Sequence, residues 1–322
     1  MNIIYACDDC FAEIMGISML SLFDSNKNAD EIIVYILDSG ITDSNKEKLF
    51  SVADKYSRRI VFLSVDGLLD KKMKQKRGSL ATFSRLYAAQ LLPEDIDTAL
   101  YLDCDILVLD DLSEMYNTEI DGYYGAAVKD CVSEMHKKSV GLLPSDNYFN
   151  AGVYLMNIRK WRNAAVSEKA ALFSQKYNNR VPYADQGILN GVTAKKTKCL
   201  ELKYNCYTIL YDFDYKHLML FRKPSGYYSE AEIADFKKAP AIIHFTTCFL
   251  SLRPWVSGCN HPYAAKWRMY KEMSPWSGQP LREDNRNAIK RVGVGIYRLL
   301  PQKTAASIAG FFHAEIMPRF RR

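Results

Sequence analysis

The sequence predicts an α/β protein built on a doubly wound, mainly parallel sheet. Three observations carry this. Short apolar runs alternate with longer segments of helical period through the first hundred residues. The segments between the apolar runs are long enough for the crossovers that parallel strands require. Acidic residues follow directly on apolar runs, at Asp8 and again at Asp103 and Asp105. In such sheets ligands bind outside the carboxyl ends of the strands.

Residues 3–7 (Ile3, Ile4, Tyr5, Ala6, Cys7) read as a first buried strand, and residues 11–23 as a helix with Ile14, Ile17 and Leu20 on one face. A second strand over 32–37, a helix over 45–56 and a third strand over 60–65 continue the alternation. Lys71, Lys72, Lys74, Lys76 and Arg77 then form a basic loop, read as solvated surface, before a helix over 78–92. The next stretch has an apolar approach from Ala99 to Leu102 and an apolar exit from Ile106 to Leu109. It is expected as a buried strand with two carboxylates set into its end. In an extended chain positions i and i+2 share a face, so Asp103 and Asp105 converge while Cys104 faces away. Burying two carboxylates so close together costs several kcal/mol unless a cation compensates, and a hard divalent ion is the simplest compensation. The plainer reading leaves both acids on a turn in water, or one capping a helix begun near Asp110 and Asp111.

Residues 126–130 read as a short strand ending in Asp130. Residues 148–157 form an apolar strand interrupted by Asn150, Ala151 and Gly152. Glycine weakens a strand unless something must approach its backbone closely, and a sugar would do. Residues 183–190 open a helix with Asp185 near its start, where on its own it reads as a cap beside a solvated Gln186. Residues 241–245 form an apolar strand containing His244, which alone reads as a core histidine. From Pro275 the texture changes, giving an expected division into an α/β domain, 1–275, and a tail, 276–322. The tail holds nine Lys/Arg against three acids, which accounts for the whole net charge of +6. Ile289, Val292, Ile296, Leu299 and Leu300 fall on one face of a short helix, with Lys290, Arg291 and Arg298 around it and Phe311, Phe312 and Phe320 beyond. Gly293 and Gly295 weaken that helix. The combination fits an interfacial segment on an anionic bilayer, each basic residue contributing about 1 kcal/mol near the surface. No nucleic-acid-binding motif accompanies it, so nucleic acid is not expected as a partner.

With 48% hydrophobic and 25% charged residues the chain has an ordinary globular composition. It opens without a basic segment followed by an apolar one, and no apolar run reaches membrane-spanning length, so a cytoplasmic protein, peripheral on the inner face of the membrane, is expected. Its eight cysteines are expected as free thiols. Cys7 and Cys10 form a C-x-x-C, but no second pair exists to complete a zinc site.

The stretch Tyr101-Leu-Asp-Cys-Asp-Ile-Leu-Val108 resembles the Asp-x-Asp metal motif of glycosyltransferase family 8, which includes bacterial lipopolysaccharide galactosyl- and glucosyltransferases and the glycogenins. Thr82-Phe-Ser-Arg-Leu86, Phe149-Asn-Ala-Gly-Val153 followed by Asn157 and Trp161, and Tyr183-Ala-Asp-Gln-Gly-Ile188 resemble further segments of that family, in order, over roughly residues 1–275. The resemblance implies a GT-A-type nucleotide-diphospho-sugar transferase fold. It also implies a metal-dependent, retaining hexosyltransferase that moves glucose or galactose from UDP-glucose or UDP-galactose to a glycan or glycolipid acceptor in cell-surface glycan synthesis. By the same resemblance Asp8 contacts the uracil with Phe11 stacking on it, and Arg85 faces the donor sugar and its phosphates. Asp103, Asp105 and His244 hold Mn²⁺ or Mg²⁺, an oxygen-rich set with one imidazole. Cys104 and Ala151 belong to the donor-binding set. Asp130, Asn150 and Asp185 orient sugar hydroxyls, and Gln186 lies at the oxocarbenium-like centre, so Arg85, Asp130, Asp185 and Gln186 carry the chemistry. One segment departs from the family. The usual His-x-x-Gly-x-x-Lys-Pro-Trp becomes a stretch three residues longer that runs from His244 to Arg253-Pro254-Trp255, without the glycine and with Arg for Lys. Arg253 can still hold a phosphate, even bidentately.

Two other classes use the same residues. A nucleotidyl- or phosphotransferase would share the paired aspartates but would show a glycine-rich loop at the first strand-to-helix turn, which this chain lacks. A non-catalytic, membrane-associated sugar-binding protein would keep the fold and lose the chemistry, an alternative that the altered Arg253 segment leaves standing.

Overall fold

The computed structural model describes residues 1–67 and 80–320. The basic loop 71–77 and the expected helix start at Gly78 lie outside the described residues, as do Arg321 and Arg322. Among the described residues ten strands form two sheets: β1 Asn2–Cys7, β2 Ile33–Asp38, β3 Arg59–Ser64, β4 Thr98–Leu102, β5 Ile106–Val108, β6 Gly125–Lys129, β7 Phe149–Asn157, β8 Thr197–Cys199, β9 Cys206–Tyr207 and β10 Ile242–His244. The larger sheet has the order β3-β2-β1-β4-β7-β6-β8, and the smaller β5-β10-β9. In the larger sheet only β7 runs against its neighbours, β4 and β6, so the sheet is mainly parallel as expected.

The first strand shows why an unbroken apolar run was the signal. Ile3, Tyr5 and Cys7 face one core layer while Ile4 and Ala6 face the other, so both faces of the sheet are covered and no polar position alternates. The helix Ala12–Ser25 is buried on nearly every side beneath β1 and β5. It begins one residue later than expected, after a 3₁₀ turn at Asp9–Phe11. The expected helix over 78–92 is three short pieces where it is described, Leu80–Ser84, the 3₁₀ turn Arg85–Tyr87, and Ala88–Leu91.

The Asp-x-Asp stretch is not one strand. β4 stops at Leu102, residues 103–105 turn, and β5 pairs antiparallel with β10 in the smaller sheet. The two carboxylates therefore come together where the chain steps from one sheet to the other, and not through the two-residue period of a single strand.

The C-terminal region is helical: Ala288–Leu299, Gln302–Gly310, a π-helical turn Phe311–Ile316 and Met317–Phe320. Gln302–Gly310 packs on the helix Tyr215–Arg222, close enough that a Cβ on Gly310 would meet the Phe221 Cα at 3.0 Å. Ala288–Leu299 buries only Val294, leaving Ile289 82% and Leu299 86% exposed. Trp276, at the expected domain boundary, is buried in the core, where a Cβ on Gly16 would come within 2.6 Å of its ring. Among the described residues no helix is long and apolar enough to cross a membrane.

Candidate active site

A cleft of about 390 Å³ opens at the carboxyl ends of β1 and β4. Asp8, Phe11, Arg85, Asp103, Cys104, Asp105, Ala151, Asp185, Gln186 and Arg253 all line it. Asp130, Asn150 and His244 stand behind its walls.

Asp103, Asp105 and His244 offer ligand atoms that all lie within 4.8 Å of one another. His244 Nε2 is 3.1 Å from Asp105 Oδ1 and 3.6 Å from Asp103 Oδ2. Burial opposes a charge on His244, but Asp105 and Asp103 outweigh it and raise its pKa. Burial likewise opposes a charge on Asp105, while His244 and Arg253 hold its carboxyl below the usual range.

The other ring nitrogen shows how the histidine is aimed. Asn150 Oδ1 accepts from the Gly152 N–H at 3.0 Å and from Asn205 Nδ2 at 2.9 Å, which leaves Asn205 Oδ1 as the acceptor for the His244 Nδ1–H, 3.0 Å away. Nε2 is thereby turned toward the two carboxylates, the arrangement by which metal-bound histidines are oriented. Asn150, expected among sugar hydroxyls, is buried here as part of this wiring. Asn205 was not singled out from the sequence, where it stands as one asparagine between Tyr204 and Cys206 with no local pattern to mark it. Replacing it by Ala should weaken divalent-ion binding about 10–100-fold, with activity recovered at higher metal concentration; titration of Mn²⁺ against activity reads this directly.

Gly152 explains why the strand 148–157 is interrupted. A Cβ at this position would overlap the His244 Cε1 and sit 2.7 Å from Asp103 Oδ2 and 2.8 Å from His244 Nδ1. The groups that approach the backbone are thus the ligand side chains themselves, where the sequence had suggested a sugar.

Arg85 is buried beneath the carboxylates. Its Nη2 lies 2.7 Å from Asp103 Oδ1 and its Nε 2.9 Å from Asp185 Oδ2, Nη1 donates to the Ala151 carbonyl at 2.8 Å, and the guanidinium sits 4.3 Å over the Tyr101 ring. The Tyr101 hydroxyl donates to the same Asp103 oxygen at 3.1 Å. Burial pushes the Asp185 carboxyl up to about 6 against the opposing pull of Arg85. Asp185 lies in the first turn of the helix Ala184–Thr193 but does not cap it. The cap position is Tyr183, in the left-handed region with φ 60°.

Gln186 is held at both ends of its amide: Oε1 accepts from the Ala151 N–H at 3.1 Å and Nε2 donates to Asp130 Oδ2 at 2.9 Å. The second Asp130 oxygen and Asp8 Oδ1 are buried acceptors with no partner among the described residues. Arg253 Nη2 lies 3.4 Å from Asp105 Oδ2, with its guanidinium over Trp255, so the lengthened segment still delivers a cation to the cleft. Cys104 faces away from the carboxylates, its Sγ donating to the Ala6 carbonyl at 3.3 Å.

The arrangement is two carboxylates and one oriented imidazole at the floor of an open cleft, backed by a buried arginine and faced by a second. Comparison with known proteins agrees with that chemistry. Residues 2–259 match the profile of the family described as "Glycosyl transferase family 8". The chain is 26% identical over 281 residues to General stress protein A of Bacillus subtilis, covering 86% of this chain and 95% of that protein. It is 27% identical over 290 residues to a lipopolysaccharide 1,2-glucosyltransferase of Escherichia coli K12, covering 88% and 81%. A crystal structure of the galactosyltransferase LgtC with donor and acceptor sugar analogues superposes with a TM-score of 0.71 at 24% identity, over 85% of this chain and 96% of that one, which shows a shared GT-A-type fold.

Proposed function

The chain belongs to glycosyl transferase family 8, and from that membership and the geometry of its cleft we propose a retaining hexosyltransferase that moves glucose or galactose from a UDP-sugar to an acceptor hydroxyl in cell-surface glycan synthesis. The observation that carries this reading is the convergence of Asp103, Asp105 and His244 beside Arg253 in one cleft. The donor set fits a divalent ion: two carboxylates, an imidazole aimed by Asn205, and a glycine that leaves room for both. Mn²⁺ suits this set best and Mg²⁺ next, and when bound such an ion supplies Lewis-acid neutralisation of the departing diphosphate.

The chain's own residues supply the remainder. Arg253 presents charge to the phosphates from the opposite side of Asp105. Asp8 holds the uracil through its unpartnered oxygen, and Phe11 stacks on the base. Asp185 orients sugar hydroxyls, and Asp130, behind the wall, acts on them through the Gln186 amide that it holds. Gln186, fixed at both ends, lies beneath the anomeric carbon. Arg85 positions Asp103 and Asp185 from behind. The bond from the anomeric carbon to the UDP oxygen breaks as the acceptor oxygen bonds to the same face, and the acceptor proton passes to the departing phosphate. The test is UDP release from a panel of UDP-sugars with Mn²⁺ or with chelator. Release from one donor, lost with chelator and in Asp105→Ala, is expected; release that is indifferent to chelator would refute the metal assignment.

We also propose that residues 1–275 form the catalytic unit and that the tail, 276–322, rests on the inner face of an anionic membrane. Support comes from Ile289, Val292, Ile296 and Leu299, all exposed on one helix beside Lys290, Arg291 and Arg298. Because Trp276 is part of the core, point substitutions test this better than truncation. The double variant Ile289→Glu/Leu299→Glu should lose most of its sedimentation with anionic vesicles while keeping UDP release; unchanged sedimentation would discard the idea.

A further inference from the structure

The segment that departs from the family pattern is the wall between three cavities. Arg253 faces the catalytic cleft, Leu250 and Ser251 face a second cavity of about 530 Å³, and Thr247, Cys248 and Phe249 face a third of about 500 Å³. We infer that the second and third cavities are the two halves of a binding site for a lipid-linked glycan, the hydrocarbon chain lying in one and a sugar in the other. The inference rests on the transferase reading and names the class of its acceptor.

The third cavity is an apolar groove between the helices Ala288–Leu299 and Gln302–Gly310, floored by Phe249, Val294, Ile296, Leu300, Ile308 and Ala309. Lys290 stands at one end of it, a cation suited to the anionic surface from which a lipid would come, beside Arg286, which is paired with Asp284. At the other end Tyr297 and Leu300 are shared with the second cavity, so the two volumes adjoin. The second cavity is lined in good part by polar groups, and four of their atoms lack a hydrogen-bond partner. The His261 Nδ1 accepts from the Tyr263 N–H at 3.2 Å, so in the neutral ring the proton is on Nε2, which is buried without an acceptor. Burial pushes His261 down to about 4, which keeps the ring neutral. Asp212 accepts from Ser251 through Oδ1, while its Oδ2 is buried with only the weak Cys248 thiol beside it; the Tyr297 hydroxyl is buried without a partner, and that of Tyr211 has no close partner beyond the neighbouring Tyr263 and Cys206 groups. A lone donor, a lone acceptor and two hydroxyls among aromatic rings are the complement of a sugar, which offers both donors and acceptors on each ring and apolar C–H faces between them. Arg253 joins groove and cleft: its Nη2 donates to the Thr247 hydroxyl at the groove and lies against Asp105 in the cleft.

The test is calorimetry on the full chain with methyl and octyl β-D-glucopyranoside, and with the matching galactosides, below the micelle-forming concentration. Octyl glycoside is expected to bind at least about tenfold more tightly than methyl, because each methylene fully removed from water is worth about fourfold. Ile308→Glu should reduce that preference to within about twofold. Gly293→Leu, placed where a Cβ meets nothing within 4 Å, should fill the groove and do the same if the first variant folds poorly. Ile289→Glu, at the exposed start of the same helix and not among the residues that line the groove, should leave the preference intact. His261→Phe should weaken both glycosides. Equal affinities, or no measurable binding of either, would overturn the inference, as would loss of the octyl preference in Ile289→Glu, since the chain would then be held outside the groove. None of these measurements needs turnover, so a failed transferase reading and a failed acceptor site give different results.

Discussion

Gly152→Ala is expected to abolish most metal-dependent UDP release while leaving the protein folded. The added methyl has nowhere to go. It would overlap the His244 ring and come within 2.7 Å of Asp103 Oδ2, and neither group is the loose end of a flexible chain. His244 is tied to Asn205 through Nδ1, and Asp103 is tied to Arg85, to Tyr101 and, through its own N–H, to the Gly152 carbonyl at 2.8 Å. β7 cannot retreat either, because it is registered against β4 on one side and β6 on the other. The ligands must therefore move apart. A displacement of about 1 Å at a reacting centre costs on the order of 10² in rate, and two ligands shift here, so a fall of about 10²–10³ in UDP release is expected. Overpacking should lower stability by about 1–3 kcal/mol. Mn²⁺ affinity, measured by calorimetry, should fall with the rate; a Gly152→Ala protein that bound Mn²⁺ as tightly as the wild type would show that the His244–Asp103 pair is not the ion's seat.

The same position shows how far the sequence could be read. That Gly152 needed a close neighbour followed from its place in an apolar strand, a local fact. Which neighbour it was depended on His244, nearly a hundred residues away, and on the step from β4 to β5 that brings β10 alongside. The first three strands and their helices were legible because run length and period are properties of a few adjacent residues. The break at 103–105 was not, since apolar residues flank it on both sides and nothing local separates one bent strand from two short ones in different sheets. Arg85 illustrates a different limit. Its type and segment marked it as a site residue, but whether a cation faces a phosphate or a carboxylate is set by what packs behind it, and here Asp103 and Asp185 do. Asn205 left no trace in sequence because its role is to hold a ring nitrogen of a residue 39 positions later.

Arg85→Met should be the most damaging single substitution in the cleft, and damaging first to stability. The guanidinium is the buried counter-charge for Asp103 and Asp185, and removing one partner of such a pair costs about 3–5 kcal/mol because the carboxylates stay behind. The loss should depend on pH with a definite sign. Asp185 already has a folded pKa of about 6, raised by burial and restrained by Arg85. A carboxyl raised above its unfolded value penalises the fold at pH above the folded pKa, and the penalty is relieved as pH falls through it. Without Arg85 the pKa rises further, so under chelator the variant should lag the wild type more at pH 8 than at pH 5.5 in urea unfolding. Adding Asp185→Asn should recover much of that stability without restoring UDP release. Arg85→Lys should not rescue either property, because an ammonium lacks the fork that spans Asp103, Asp185 and the Ala151 carbonyl at once. The contrary result is equally informative: an Arg85→Lys enzyme with normal stability and Mn²⁺ affinity but a raised KM for the UDP-sugar would make Arg85 a direct ligand of the donor, and the carboxylates would then need another explanation for their place in the core.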